Sequence, residues 1–209
     1  MLKKVICVVM GGLMLLYFGA AALAGEERGV TAETNVITSA AANEDRDTSD
    51  NRTELYKLRA EVKEMAGDYH DYLKTLSPED RQGIKDRLKD EFTRLKELRE
   101  ETGVLKEELK DKRRELKSLL PEAKKDESLK DDLRAIKVEL KNLHDAGMRL
   151  RMAKLNLWKE FFKEMLDGKV AEAEETLKNV IHYKMLINAN LKSAGELVGK
   201  AINLIRKAG

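Results

Sequence analysis

Residues 116–129 read LKSLLPEAKKDESL, and the architecture turns on this stretch. Leu116 and Leu119 close a run of apolar residues at helical spacing. Pro121 lacks the amide proton that a continuing helix needs and restricts Leu120 before it, so the spacing predicts a helix end at Leu120. Glu122 to Ser128 is a polar turn, and Leu129 reopens the same spacing. The pattern is that of a helical hairpin with its tip near Ala123.

Upstream of the tip the seam passes back through Lys112, Leu109, Leu105, Thr102, Leu98, Leu95, Phe92, Leu88 and Ile84 to Ser77-Pro78-Glu79-Asp80. There Ser is a capping residue, Pro suits the first helical turn and two acids favour the positive end of the helix dipole. Downstream it runs through Leu133, Ile136, Leu140, Leu143, Gly147 and Leu150, then broadens to Leu157, Trp158, Phe161, Phe162, Met165 and Leu166. It stops at Asp167-Gly168-Lys169, glycine being the usual left-handed stop residue. The breaks at Ser77 and Gly168 lie almost equally far from Ala123, so the two arms match in length and break at the same end.

Two further helices flank the hairpin. Leu55, Leu58, Val62, Met65, Tyr69, Tyr72 and Leu76 follow alternating steps of three and four, the period of a narrow coiled-coil seam. Val170, Ala173, Leu177, Val180, Ile187, Leu191, Ala194, Val198, Ala201 and Ile205 do the same, interrupted only by Lys184. Helices are therefore expected over about 51–76, 78–120, 127–166 and 169–207. The fold class is all-α: a long antiparallel helical hairpin with flanking helices. If the flanking helices fold back, the result is a four-helix bundle; if they continue outward, it is an extended, bent coiled coil. The bundle is preferred because it gathers Tyr69, Tyr72, Phe92, Trp158, Phe161 and Phe162 near one end. Composition agrees: among 209 residues there are 13 Gly and two Pro, 37% are charged and 5% aromatic, which excludes a sandwich, barrel or Rossmann domain.

The first residues speak of compartment. Lys3 and Lys4 precede an apolar run from Val5 to Phe18, and Ala22-Leu23-Ala24 has the small-x-small form of a signal-peptidase site, so 1–24 reads as a secretory signal peptide. The alternative is an uncleaved anchor, but the small-residue run favours cleavage over a charged stop. Cys7, the one cysteine, lies inside this leader, so a mature chain has neither disulfide nor thiolate chemistry. Loss of Lys3 and Lys4 equalises basic and acidic residues at 38 each, which gives no electrostatic reason to recruit nucleic acid or an anionic membrane. Gly25 to Asp50 holds seven acids and two arginines with no apolar period, and is expected to be an acidic disordered spacer (25–50) before a helical domain over 51–209.

Signatures of chemistry are missing from the pattern. His70, His144 and His182 are isolated, with no HExxH motif, and the carboxylates carry Lys or Arg at helical spacing, the mark of solvated ion-pair faces. No catalytic residue, cofactor or metal is expected, so the chain reads as no enzyme. Gly195-x-x-x-Gly199 is expected to allow close helix packing inside the protein. Met148 and Met152, one turn apart beside Arg149 and Arg151, are the candidate protein-binding residues: a soft apolar pair with a basic rim.

Leu76-Ser77-Pro78-Glu79-Asp80-Arg81-Gln82 resembles the LTxxQ-type segment of the Spy and CpxP group of extracytoplasmic proteins. Ser stands for Thr, Asp80 stands where Gln is expected, and the segment occurs once and covers about a tenth of the chain. The resemblance implies a small, exported, all-helical stress protein, some of whose relatives act as ATP-independent chaperones. The resulting expectation is an exported protein of the bacterial cell envelope, secreted or periplasmic, that binds another protein or an envelope component through helix surfaces in a chaperone-like manner, either alone or as a homodimer. It involves no nucleic acid and no small-molecule substrate, and touches membrane only through an uncleaved leader. The alternative is a structural coiled-coil spacer or oligomerisation module.

Overall fold

The computed structural model describes residues 45–123 and 127–208, so the expected leader, Cys7 and most of the expected spacer lie outside the described residues. The chain is all-α, with no strand among the described residues. Its helices are α1 (Asp45–Thr75), α2 (Pro78–Arg87), α3 (Lys89–Ala123), α4 (Lys130–Leu166) and α5 (Val170–Ala208), with a 3-10 turn at Glu127–Leu129 before α4.

The two helix boundaries with the clearest local chemistry form as expected. Ser77 Oγ accepts from Asp80 N at 3.0 Å and donates to the Asp80 carboxylate at 2.7 Å, while Pro78 opens the first turn of α2. This cap by itself accounts for Ser77, Pro78 and Asp80 in the segment that resembles the LTxxQ type. At the other boundary Gly168 has φ +75°, its N–H donates to Met165 O and the Lys169 N–H donates to Glu164 O. That is the paired bonding of a Schellman stop, in which only glycine avoids a Cβ penalty.

Three boundaries differ from expectation. Helix α1 begins at Asp45, inside the stretch assigned to the spacer, rather than at Asn51. Its apolar seam starts only at Leu55, so the preceding turns left nothing periodic to read. The expected helix over 78–120 is two helices divided at Leu88, whose backbone lies at φ −97° and ψ 5°. The bonds Leu88 N–H to Ile84 O and Phe92 N–H to Leu88 O persist across it, and no Gly or Pro marks the place. Finally, α3 continues past Pro121 to Ala123. Proline so near the end removes a single ladder bond, and Ala123 packs with Leu129 and Ile205 in a small core that holds the extra turn.

The described residues fall into two compact units. The first comprises residues up to Phe92 together with Leu155–Thr176. Here α1 folds back on α4, which decides for the bundle over the outward rod within this unit. Phe161 is 0% exposed, and its ring meets Tyr69 of α1 at 6.2 Å, Phe92 at 6.3 Å, Trp158 at 5.4 Å and Phe162 at 5.3 Å, all edge-on. Val62, Leu88, Met165 and Ala173 are buried with it. Trp158 stacks on Phe162 yet stays half-buried, so the tryptophan sits at the margin and Phe161 at the centre. Lys159 pairs with Glu61 between α4 and α1, and Arg87 Nε meets Glu174 Oε2 at 2.6 Å between α2 and α5.

The second unit comprises Thr93–Lys154 and the chain from Leu177 onward. It is a three-helix bundle of α3, α4 and α5. Contacts of α3 with α5 advance together along both chains, Thr102 with Asn188, Lys112 with Gly195, Glu115 with Arg206, so these helices run parallel. Leu143 of α4 meets Asn190 of α5, and Leu129, just before α4, clusters with Ile205 farther along α5, so α4 and α5 run antiparallel. The core is Leu109, Ile187, Leu191, Ala194, Val198 and Ile202, ringed by leucines that remain partly exposed.

Candidate functional site

The sequence-predicted binding residues lie on α4 in the second unit. Met148, Arg151 and Met152 are half-buried and Arg149 is exposed. Arg151 Nη1 donates to Met148 Sδ at 3.8 Å, so this arginine lies over the thioether. Residues two apart on a helix point about 200° away from each other, so Arg149 and Arg151 do not form one rim. The structure brings Met148 and Arg151 together and sets Arg149 apart.

Between α3 and α5 lies a polar cluster that the spacing did not announce. Thr102 and Asn188 are both buried. Asn188 Nδ2 donates to Leu98 O at 3.0 Å and to Glu101 Oε2 at 2.8 Å. Thr102 Oγ1 lies 2.7 Å from Leu98 O and 2.6 Å from Asn188 Oδ1, so its one proton serves one acceptor at a time. Flipping the amide would turn Oδ1 toward two acceptors, which assigns the orientation. Two residues onward, and so on another side of α5, Asn190 Nδ2 donates to Leu143 O at 3.0 Å across the α4–α5 contact. Gly147 makes room for it, since a Cβ there would lie 3.0 Å from Asn190 Oδ1. The close approach thus occurs at Gly147. At Gly195 the neighbour is the Lys112 ammonium, which donates to Gly195 O at 3.3 Å, and a Cβ on Gly199 would meet nothing.

The surface beside Gly199 is a groove of about 520 Å³ lined by Lys112 from α3 and by Glu196, Gly199, Lys200, Asn203, Leu204 and Lys207 from α5. On α5 these residues recur at three- and four-residue steps, one continuous face. Lys112 is half-buried and held by its bond to Gly195 O, whereas Lys200, Asn203 and Lys207 are exposed. Neither Lys200 nor Lys207 has an ion-pair partner among the described residues. Several cations elsewhere on the helix surfaces are paired locally, as in Lys74–Asp71, Arg94–Glu97, Lys110–Glu107 and Arg114–Asp111. Sequence reading missed this groove because Lys112 reaches Gly195 from a helix 83 residues away along the chain.

Burial, then the neighbouring Tyr72, pushes the Tyr69 phenol well above its ordinary range, inside the aromatic core of the first unit. A hydrogen bond from Lys74, and then its charge, lowers the exposed Asp71 carboxyl. His70, His144 and His182 fall on α1, α4 and α5 respectively, and the His182 ring lies edge-on to Tyr183 at 6.1 Å. Among the described residues no three His, Cys, Asp or Glu side chains are grouped to hold a metal ion, and no helix is long and apolar enough to cross a membrane. No family model matches the chain, and neither a curated protein nor a solved structure matches it.

Proposed function

We propose that this chain is an exported, non-enzymatic helical protein of the cell envelope that binds another protein through the helix surface of its second unit, in a chaperone-like manner. One observation carries the reading. Around the closed core of that unit, Leu105, Leu116, Leu119, Leu140, Leu143 and Leu150 are only partly buried, while Val104, Val138, Met185 and Leu186 are exposed. Half-wet leucines beside unpaired lysines form the mixed apolar and charged surface that a binding partner can desolvate. The basic start, apolar run and Ala22-Leu23-Ala24 support export, and the near balance of 40 basic and 38 acidic residues supports a protein partner over nucleic acid.

The test is suppression of aggregation of a chemically unfolded client protein. We expect suppression near one chain per client, read by light scattering. Absence of suppression up to several-fold excess would favour the second reading, a structural coiled-coil spacer or oligomerisation module. That reading is favoured by the surface ion pairs at helical spacing, which suit a solvated rod face.

A further inference from the structure

We infer that the groove between α3 and α5 receives an acidic helical segment of the partner protein, whose carboxylates, two helical turns apart, meet Lys200 and Lys207. The inference rests on the protein-binding reading above and names the chemistry of what is bound. Its first support is electrostatic: three lysines face the groove against one acid, Glu196, and two of the three have no ion-pair partner among the described residues. Lys74, Lys96 and Lys110 meet acids on their own helices, whereas Lys200 and Lys207 have no such partner to displace among the described residues, so an incoming carboxylate can pair with each.

The second support is spacing. Lys200 and Lys207 lie seven residues apart on α5, which puts both on one face about 10.5 Å apart along the axis. An acidic helix with carboxylates at the same interval presents them in matching register, with Asn203 between them to donate or accept. Leu204 is half-buried on the same face and Gly199 carries no side chain, so the groove has an apolar strip and room for an incoming helix. Lys112, tied to Gly195 O, forms a fixed cationic wall on the α3 side.

The same features argue against the other anionic surfaces. A lipid bilayer presents a flat, uniformly negative plane that would meet Glu196 at the end of the lysine row. A nucleic acid strand would find no aromatic side chain in the groove on which to stack a base. A polypeptide with separated carboxylates satisfies both lysines without opposing Glu196.

The test titrates the purified full chain into a fluorescein-labelled, alanine-rich helical peptide bearing two glutamates seven residues apart, at low salt, reading anisotropy. We expect saturable binding that weakens about tenfold or more in the double variant Lys200→Glu, Lys207→Glu. Lys192→Glu, an exposed position of α5 outside the groove, is expected to leave the affinity unchanged. All three positions are exposed, so the melting temperature confirms that each variant folds. Equal loss in Lys192→Glu, or equal affinity for a peptide with its glutamates moved to opposite faces, would overturn the inference. Binding of anionic phosphatidylglycerol vesicles in place of the peptide would overturn it as well. A chain that suppresses client aggregation yet ignores the peptide keeps the protein-binding reading and loses this one, whereas failure of both removes the two together.

Discussion

In the first unit four aromatic rings meet around Phe161; in the second the helices close over aliphatic side chains and a glycine, with two asparagines between them. The rings bury a large area, but their attraction is broad and tolerates small shifts of one helix past another. The leucine seam is more permissive still, because sliding by one heptad replaces most of its leucines by another apolar residue. Asn188 does not tolerate that slide, since its amide is bonded to Leu98 O, Glu101 and Thr102 of α3. Bulk sets which faces are buried in the first unit, and amides set the alignment in the second.

The strongest way to break this contrast is to remove the central ring. Phe161→Ala leaves a cavity at a fully buried site and is expected to cost about 3–5 kcal/mol, measured by urea unfolding. Trp158→Ala, at the half-buried margin, is expected to cost about 1–3 kcal/mol, and equal costs would place the centre of the cluster wrongly. Native tryptophan emission should accordingly be blue-shifted yet partly quenchable by iodide.

In the second unit Asn188→Ala is expected to cost about 1–3 kcal/mol, because it removes the buried amide that is bonded to Leu98 O, Glu101 and Thr102. Asn188→Leu should recover much of that loss and give duplicated amide resonances from residues near Thr102 as alternative alignments become populated. A single set of resonances in Asn188→Leu would show that the leucine seam alone fixes the alignment.

Alkaline titration separates the units without removing volume. The Tyr69 phenol has its folded pKa raised above the unfolded value of about 10, so its stabilising contribution is complete below about pH 10 and is lost as pH rises further. Unfolding midpoints should therefore fall above about pH 10, and Tyr69→Phe should flatten that fall while leaving the neutral range little changed. The same slope in Tyr69→Phe would assign it to another group.

The smallest effect tests the fit at Gly147. Alanine is the better helix former by about 1 kcal/mol, but its Cβ would press on Asn190 Oδ1 and compete with the bond to Leu143 O. Gly147→Ala alone should change the melting temperature little, whereas the same change in Asn190→Ala should stabilise by about 1 kcal/mol. Additivity of the two substitutions would remove the proposed contact.

Ser77, Pro78 and Gly168 were legible from the sequence because their chemistry is completed by neighbours within a few residues. The seams of α1 and α5 were legible for the same reason, since periodicity records which face of a helix is apolar. Leu88, where the helix divides, was not, because nothing in its neighbours breaks a helix. Asn188 and Asn190 left no mark in the apolar spacing, because the groups they bond lie on other helices. Of the candidate binding residues, the methionines were visible as a helical pair, while the opposed directions of Arg149 and Arg151 and the groove at Lys200 and Lys207 emerged only with their surroundings.

By itself, then, the sequence determined the helix boundaries at Ser77 and Gly168 and which stripe of each helix is apolar, because backbone bonds, caps and periodicity act over a turn or two of chain. Tertiary structure alone decided that Phe161 and not Trp158 lies at the aromatic centre, that Ala123 continues the helix past Pro121, and that Asn188, Asn190 and Lys112 reach across to other helices. An apolar stripe specifies that a face is covered and says nothing of what covers it. A buried amide or an open lysine acquires its meaning from groups 47 to 90 residues distant, whose positions no local rule supplies.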